Sequence, residues 1–562
     1  MIVNTWDKVW DKSISPDIHP ELIKVIKHFS SGKKILEIGF GTGGDLSSLK
    51  KDGFICYGLE INKIAYKHAV KGRLFKSFLG NGEKTSFKEK QFDLIFHQGV
   101  LEHFRDPSRF MSEHYRILKP GGTIVIDVPH KWNLYTLYRN IYKLFGCWYG
   151  GWERSYNARE LKNLAWRSGF KPIAIYYRGI WPHRWGKFLF PERIIKRRWI
   201  RLVIDKPPVI WIQKLSLALY RISELIQIVS SYNIILVAKR RKLKLAVDVM
   251  PLNAKGGAVR RYVREILSLL PKDDYAFVKR KPDIYHATNN WGIPVFRSFP
   301  IVTTIHDVIP LAFNDYFKKS KIPLISKLIY RLKMQTTLWL SRVVICTDAI
   351  NAKEIIKNFL VDSKKISIIP MAVSNVFFEK RNENIGRSYI LNHGGLEQRK
   401  NIEKLIRSFS LTKDLELIIT GENFELVKDL KKLVSKLKIS GRVKFVGWVS
   451  ERKVATMVKN AKCVVYSSLA EGFGLPMLEA MAAGTPIVAS NIPILRKIGE
   501  EIPIYVNPNS TSSIYKGIIK AISGIPKSRL SKGKAIARNY TWEKVAKKTY
   551  EVYFDTIFRL NQ

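Results

Sequence analysis

Three times along this chain a short run of branched apolar residues breaks into glycines and then into an amphipathic stretch. The runs are "KKILEIGFGTGGDLSSLKK" from Lys33, "KLAVDVMPLNAKGGAVRRYVREILSLL" from Lys244 and "YILNHGGLEQRKNIEKLIRSFS" from Tyr389. A continuously apolar strand needs cover on both faces, and a glycine turn into a helix supplies it, so such units assemble into parallel sheets flanked by helices. The alternation continues through "ICYGLE", "FDLIFHQ", "IVTTIH", "LELIITG" and "AKCVVYSS". The chain therefore reads as α/β: an N-terminal Rossmann-like domain, then two doubly wound parallel sheets. The 562 residues leave room for this. The expected boundaries are 1–241, with an insertion at about 130–232, then 242–382 and 383–562.

Composition narrows the class. Cys56, Cys147, Cys346 and Cys463 stand singly, without CxxC pairs or a nearby histidine cluster, so a disulfide framework or a zinc site is not expected. The start, "MIVNTWDKVWDKS", lacks the apolar centre of a signal peptide. The best apolar run, "VIWIQKLSLALYRISELIQIV", is interrupted by Lys214, Arg221 and Glu224. A cytoplasmic protein, either soluble or peripheral at the inner face of the cell membrane, is expected. The formal net charge of +49, from 96 basic and 47 acidic residues, fits lysine-decorated solvated faces, an anionic membrane surface or phosphorylated substrates. No zinc-finger spacing or RNA-binding aromatic pattern supports nucleic acid as a partner.

In the N-terminal domain, Gly39, Gly41 and Gly43 follow the strand from Ile35 to Ile38, and "ICYGLE" ends on Glu60, where a carboxylate can hold a ribose diol. "LEIGFGTG", "LEHF" and "RILKPGG" resemble class I S-adenosylmethionine-dependent methyltransferases of the methyltransferase-11/12 type. The resemblance implies that Glu37, Gly39, Phe40, Gly41 and Gly43 line the methionine and ribose side, and that Glu60 takes the ribose hydroxyls. Asn81 stands where the family has an adenine-contacting Asp. Gln98 and His103 face the position of the methyl group. His103 is a candidate base for O-methyl transfer, or a packing residue of the "LEH" helix. The aromatic and basic insertion corresponds to a substrate-side lid that suits a membrane interface or an ordinary packed cover.

From Leu243 onward, "TIHDVIPL", "GGLEQRKN" and "VVYSSLAEGFGLPMLEAMAAGTPIVAS" resemble family 4 retaining glycosyltransferases of the GT-B fold, over roughly residues 243–560. "HDVIPL" with "GGLEQRKN" is most like mannosyltransferases of surface-polysaccharide assembly and favours GDP-mannose as donor. A departing nucleoside diphosphate must be neutralised, and Arg399 and Lys400 supply cations for it. Gly472 and Gly474, with Phe473 and Leu475 of the same turn, let backbone N–H groups approach the donor. Pro476 opens a helix whose N-terminus faces the phosphates, so no metal is required. Glu479 is placed for the ribose hydroxyls and Glu471 for those of the sugar. By resemblance His306 contacts the donor sugar, Gly256 and Gly257 approach the phosphates, Arg260 or Arg261 meets the acceptor, and Trp448 and Val449 meet the base. Only a dozen residues separate "SLL" at 268–270 from "DIYHATNNW" at 283–291, which shortens the first GT-B half.

Together these features describe a bifunctional enzyme of surface-glycan synthesis. It would transfer a hexose, mannose being favoured, with retention onto a glycan carried on polyprenyl phosphate, and a methyl group from S-adenosylmethionine to a glycan hydroxyl. Tethering makes sense where one site's product is the other's substrate. Two other readings stay open: a glycosyltransferase whose N-terminal domain is a non-catalytic scaffold, and a basic nucleic-acid methyltransferase.

Overall fold

The computed structural model describes residues 17–71, 75–133, 152–179, 231, 233–254, 257–289, 293–294, 298–312, 322–380 and 389–558, with Thr136, Arg139, Asn140 and Lys143 in between. Most of the expected insertion at 130–232, including the apolar run from Val209, lies outside the described residues, as does Gly256. One compact unit ends at Leu243 and a second runs from Lys244 to Thr556.

In the first unit the apolar runs become β1 (Lys34–Ile38), β2 (Ile55–Glu60), β3 (Lys76–Leu79), β4 (Phe92–Gln98), β5 (Leu118–Pro129), β6 (Phe170–Arg178) and β7 (Asn233–Arg240). They order as β3-β2-β1-β4-β5-β7-β6. β1 is parallel to both β2 and β4, whereas β7 runs antiparallel between β5 and β6. Residues Ile35 to Ile38 are all buried, the pattern of a central strand covered on both faces. The strand order reverses between β1 and β4, and the crevice beyond their carboxyl ends is where such sheets take ligands.

The second unit holds two sheets. The first contains β8 (Leu243–Val247), β9 (Tyr275–Phe277), β10 (Ile284–Ala287), β11 (Ile301–Ile305), β12 (Val343–Cys346) and β13 (Ile366–Ile368), ordered β13-β12-β11-β10-β8-β9. The short stretch after "SLL" contributes only the three-residue edge strand β9. The second contains β14 (Tyr389–Asn392), β15 (Glu416–Ile419), β16 (Val443–Phe445), β17 (Cys463–Tyr466), β18 (Ile487–Ser490) and β19 (Ile504–Val506), ordered β16-β15-β14-β17-β18-β19 and parallel throughout. Its switch point lies between β14 and β17; that of the first sheet lies between β8 and β10. Among the described residues no helix is long and apolar enough to cross a membrane.

The helix Leu475–Ala483 shows how the local sequence sets boundaries. Gly474 (φ 97°) supplies the left-handed entry, Pro476 sits in the first turn, and Gly484 (φ 69°) terminates the helix. A core of the same sheet joins Ile390, Leu417, Cys463 and Val488 from four neighbouring strands to Leu405 and Phe409 on a covering helix. Leu417 is fully buried at the centre of this layer. Leu417→Ala is expected to destabilise the second unit by about 2–5 kcal/mol, measured by denaturant unfolding followed by circular dichroism.

Candidate functional site

The sequence-predicted residues of the second unit converge on one cleft of about 670 Å³, lined among others by Gly257, His306, Arg399, Lys400, Val449 and Glu479. Each reaches it from the end of an element. His306 directly follows β11, and Gly257 precedes the helix Ala258–Leu269. Arg399 and Lys400 form a short turn after β14, and Glu471 to Gly474 lie between β17 and the helix from Leu475. Trp448, Gly472, Phe473, Gly474 and Leu475 also line it.

The acids and bases are paired with one another here. Glu471 accepts from Lys400 Nζ and from Arg399 Nη1, both at 2.8 Å. Lys400 also donates to the Tyr466 hydroxyl at 3.1 Å, and Arg399 Nε donates to Glu397 at 2.6 Å. Burial alone would raise the Glu471 carboxyl, but Lys400 and Arg399 outweigh it and hold it at about 2. Burial pulls the Lys400 ammonium below its usual range despite Glu471.

Glu479 is likewise engaged on both oxygens. Arg261 Nη1 donates at 2.5 Å from the helix Ala258–Leu269, and His393 Nε2 donates at 2.9 Å from the end of β14. Burial works against its ionisation, but Arg261 and His393 bring its pKa down. Arg261 also pairs with Glu451 at 3.0 Å, and Arg264 with Glu451 at 2.9 Å, so the two halves of this unit meet across the cleft through charge. The cations expected to meet phosphates and the acids expected to meet hydroxyls are paired with one another: each acid is held by cations of the same cleft, because a buried carboxylate needs a partner. Of the two arginines named for the acceptor, Arg261 is the one that engages Glu479.

His306 Nε2 donates to the Thr288 carbonyl at 3.0 Å and its ring packs edge-on against Tyr262 at 5.2 Å. Burial lowers its pKa to about 4, so the ring is neutral at physiological pH. Gly472 is locked beside it. A Cβ there would meet the Asp307 side chain at 2.9 Å and the His306 carbonyl at 3.0 Å, and Asn351 Nδ2 donates to the Gly472 carbonyl.

In the first unit the named residues gather toward the carboxyl ends of β1, β2, β3 and β4. Gly39, Gly41 and Gly43 have φ of 73°, 52° and 74°, which the glycine-rich turn requires. Glu60 accepts from the N–H groups of Gly41 at 3.0 Å and of Ile61 and Asn62 at 2.9 Å. Glu37 is buried with Oε2 lacking any hydrogen-bond partner, and burial, then Asp45 and Glu60, push its pKa well above the usual range. A buried, unsatisfied carboxyl beside two more acids fits a ligand that brings positive charge, as the ammonium and sulfonium of S-adenosylmethionine would. Asn81 is exposed, its side-chain oxygen accepting from the Glu83 N–H at 2.9 Å. Gln98, the last residue of β4, donates to His19 Nε2 at 3.3 Å. His103 Nδ1 donates to the Trp152 carbonyl at 3.3 Å, and burial lowers its pKa. Phe40 packs against Phe75.

Sequence reasoning missed several partners. His19 hydrogen-bonds Asp45 at 2.8 Å, and Asp127 pairs with Arg178 at 2.9 Å while accepting from Asn233 at 2.7 Å. In the cleft it missed His393, Asp307 and Glu451. Asp45 stood beside the glycine turn already singled out, and that adjacency was the available signal, whereas His393 carried none. Among the described residues no group of three His, Cys, Asp or Glu side chains is placed to hold a metal ion.

Comparison with known proteins assigns the units. Residues 15–175 match the family model for a methyltransferase domain, residues 232–375 that for glycosyltransferase family 4, and residues 374–536 that for glycosyl transferases group 1. The chain joins a methyltransferase domain to a GT-B glycosyltransferase. It is similar to the O-antigen chain mannosyltransferase RfbU of Salmonella typhimurium, at 30% identity over 240 residues, covering 42% of this chain and 65% of that protein. It is similar to O-antigen chain mannosyltransferase B of Escherichia coli, at 25% identity, covering 49% of this chain and 74% of that one. A phosphoethanolamine N-methyltransferase of Caenorhabditis elegans is 27% identical over 28% of this chain and 37% of its own length. The chain thus spans just under two thirds of the first of these relatives.

The pairing in the glycosyltransferase cleft makes a stability prediction. Glu471→Gln leaves Lys400 and Arg399 without their buried counter-charge and is expected to cost about 3–5 kcal/mol at neutral pH. Because the folded pKa lies below 4.5, the contribution of Glu471 is complete above 4.5 and is lost as the pH falls through about 2. Unfolding free energies measured between those limits should therefore slope less in the variant than in the parent.

Proposed function

We propose that the glycosyltransferase unit transfers a hexose with retention from a nucleotide sugar to a glycan, with mannose from GDP-mannose the favoured donor. The methyltransferase unit would methylate a hydroxyl of the same glycan. The observation that carries this reading is the convergence of Arg399, Lys400, Glu471, Glu479 and the Gly472–Gly474 turn in one cleft. Sugar transfer from a nucleotide sugar needs charge stabilisation at the departing diphosphate and hydroxyl recognition on either side of it.

In this reading Arg399 and Lys400 meet the diphosphate together with the N-terminus of the helix from Leu475, where unpaired N–H groups favour an anion. Glu479 takes the ribose hydroxyls, sharing or exchanging its contact with Arg261 as the donor enters. Glu471, oriented by Lys400 and Arg399, takes hydroxyls of the sugar. His306, neutral, contacts the sugar from the facing half, Gly257 approaches the phosphates, and Val449 and Trp448 lie against the base. The O-antigen mannosyltransferase relatives support a surface-glycan acceptor, and a polyprenyl-phosphate carrier at the inner face of the cell membrane would suit the basic chain.

In the methyltransferase unit S-adenosylmethionine supplies an electrophilic methyl group when bound. Glu37 would meet its ammonium and Glu60 its ribose diol, with Gly39, Phe40, Gly41 and Gly43 cradling it. Asn81 would meet the adenine and Gln98 would border the methyl position. His103, donating through Nδ1 to the Trp152 carbonyl and with its pKa lowered by burial, would take the acceptor hydroxyl's proton.

Calorimetry of the whole chain with GDP-, UDP- and dTDP-sugars, followed by mass analysis of products with and without S-adenosylmethionine, tests both halves. Glu479→Ala is expected to weaken donor binding by about tenfold or more, the loss of a charged hydrogen bond to hydroxyl. Glu471→Ala is expected to lower transfer more than donor binding. Parent-like transfer by both variants would overturn the assignment of the cleft, and no binding of S-adenosylmethionine would leave the N-terminal domain as a scaffold.

A further inference from the structure

The helix Pro323–Leu340 is apolar on two sides. Its inner side buries Tyr330, Met334, Thr337 and Leu338 against the first glycosyltransferase sheet. Its outer side carries Leu324, Leu328, Leu332 and Trp339, which at about 100° per residue fall on one stripe. These are exposed by 84%, 55%, 58% and 75%, and Ile325 and Ile329 border them. The stripe is extended by Leu360, exposed by 88%, whose loop is fastened to the helix: Gln335 Nε2 donates to the Leu360 carbonyl at 2.8 Å and Gln335 Oε1 accepts its N–H at 3.0 Å. An ordinary packed helix exposes its polar side, so an outward stripe of this kind marks a surface that meets something apolar.

Charge indicates which partner. From Tyr316 to Thr347 the sequence contains no Asp or Glu. Lys327 and Arg331 fall on one flank of the outer stripe and Lys333 on the other, all three side chains long enough to reach the level of a headgroup, and Arg331 Nη2 also donates to the Asn358 carbonyl at 3.3 Å. Apolar side chains flanked by cations along a surface-lying helix match an anionic lipid bilayer, where the leucines enter the acyl boundary and the cations meet phosphates.

We propose that this helix, together with Leu360, is the surface by which the glycosyltransferase unit docks on an anionic membrane. Docking here is independent of which sugar the cleft transfers, since none of these residues lines it. The net charge of the chain would itself attract it to anionic vesicles, so the decisive variant removes apolar surface and leaves charge unchanged: Leu328→Gln with Leu332→Gln, both outward-facing.

The test is flotation of the full chain with vesicles of equimolar phosphatidylglycerol and phosphatidylcholine, and with phosphatidylcholine alone, across a salt series. The parent is expected to float with the anionic vesicles, less so as salt rises, and the double variant to bind them about tenfold or more weakly, with unchanged melting temperature and unchanged binding of GDP. Equal flotation of parent and variant, or no flotation of the parent, overturns the proposal. So does sedimentation showing that the stripe joins two copies of the chain, if the variant is monomeric yet still floats like the parent. GDP binding is read separately, so failure at the membrane is distinguishable from failure of the donor-site reading.

Discussion

The Glu471 carboxylate lies buried between Lys400 and Arg399, and the geometry of the glycosyltransferase cleft depends on that arrangement. Separating these ions from water is costly, and only close, hydrogen-bonded contact offsets the loss. The contact joins the turn after β14 to the loop after β17, the two strands that flank the switch point of their sheet. The loop so anchored then presents the backbone of Gly472 to Gly474 at the mouth of a helix. The cations proposed to meet a diphosphate are therefore also what fixes the position of the acid and of the glycine turn.

Glu479 repeats the principle across a longer gap. Its partner Arg261 is 218 residues away in sequence, on the helix that opens the first half of the unit, and its other partner, His393, directly follows β14. Arg261 and Arg264 bring two guanidinium groups to Glu451 as well. A cleft closed by ion pairs rather than by an apolar seam can exchange those contacts for a ligand's own polar groups, which suits a donor rich in phosphate and hydroxyl. The methyltransferase unit shows the converse state, with Glu37 buried beside Asp45 and Glu60 and one oxygen unsatisfied.

Much of this was legible in the chain because its grammar is local. A branched apolar run, a glycine turn and an amphipathic stretch determine a strand, its exit and its covering helix within about thirty residues, and "EGFGLPMLEAMAAG" delimits its own helix from Gly474 to Gly484. The residues at and after the strand ends are also those that face the crevice, so Glu60 could be named from position, and Arg399, Glu471 and Gln98 from position together with the family resemblance. Partners could not. His393 stood inside a quoted stretch without any local signal that its ring meets Glu479, and His19 precedes the first described strand yet bonds Asp45 and Gln98.

By itself, then, the sequence determined the α/β class, the restart near Leu243 and the places where turns must carry chemistry, because backbone preference and hydrophobic period act over neighbouring residues. Only the tertiary structure decided which charge neutralises which. It put Glu471 on Lys400 and Arg399, put Glu479 on Arg261 and His393, and turned Leu328 and Leu332 outward while Tyr330 and Met334 faced the core. Those outcomes depend on which side chains burial brings within hydrogen-bond reach, and that distance is set by the packing of sheets and helices rather than by separation along the chain.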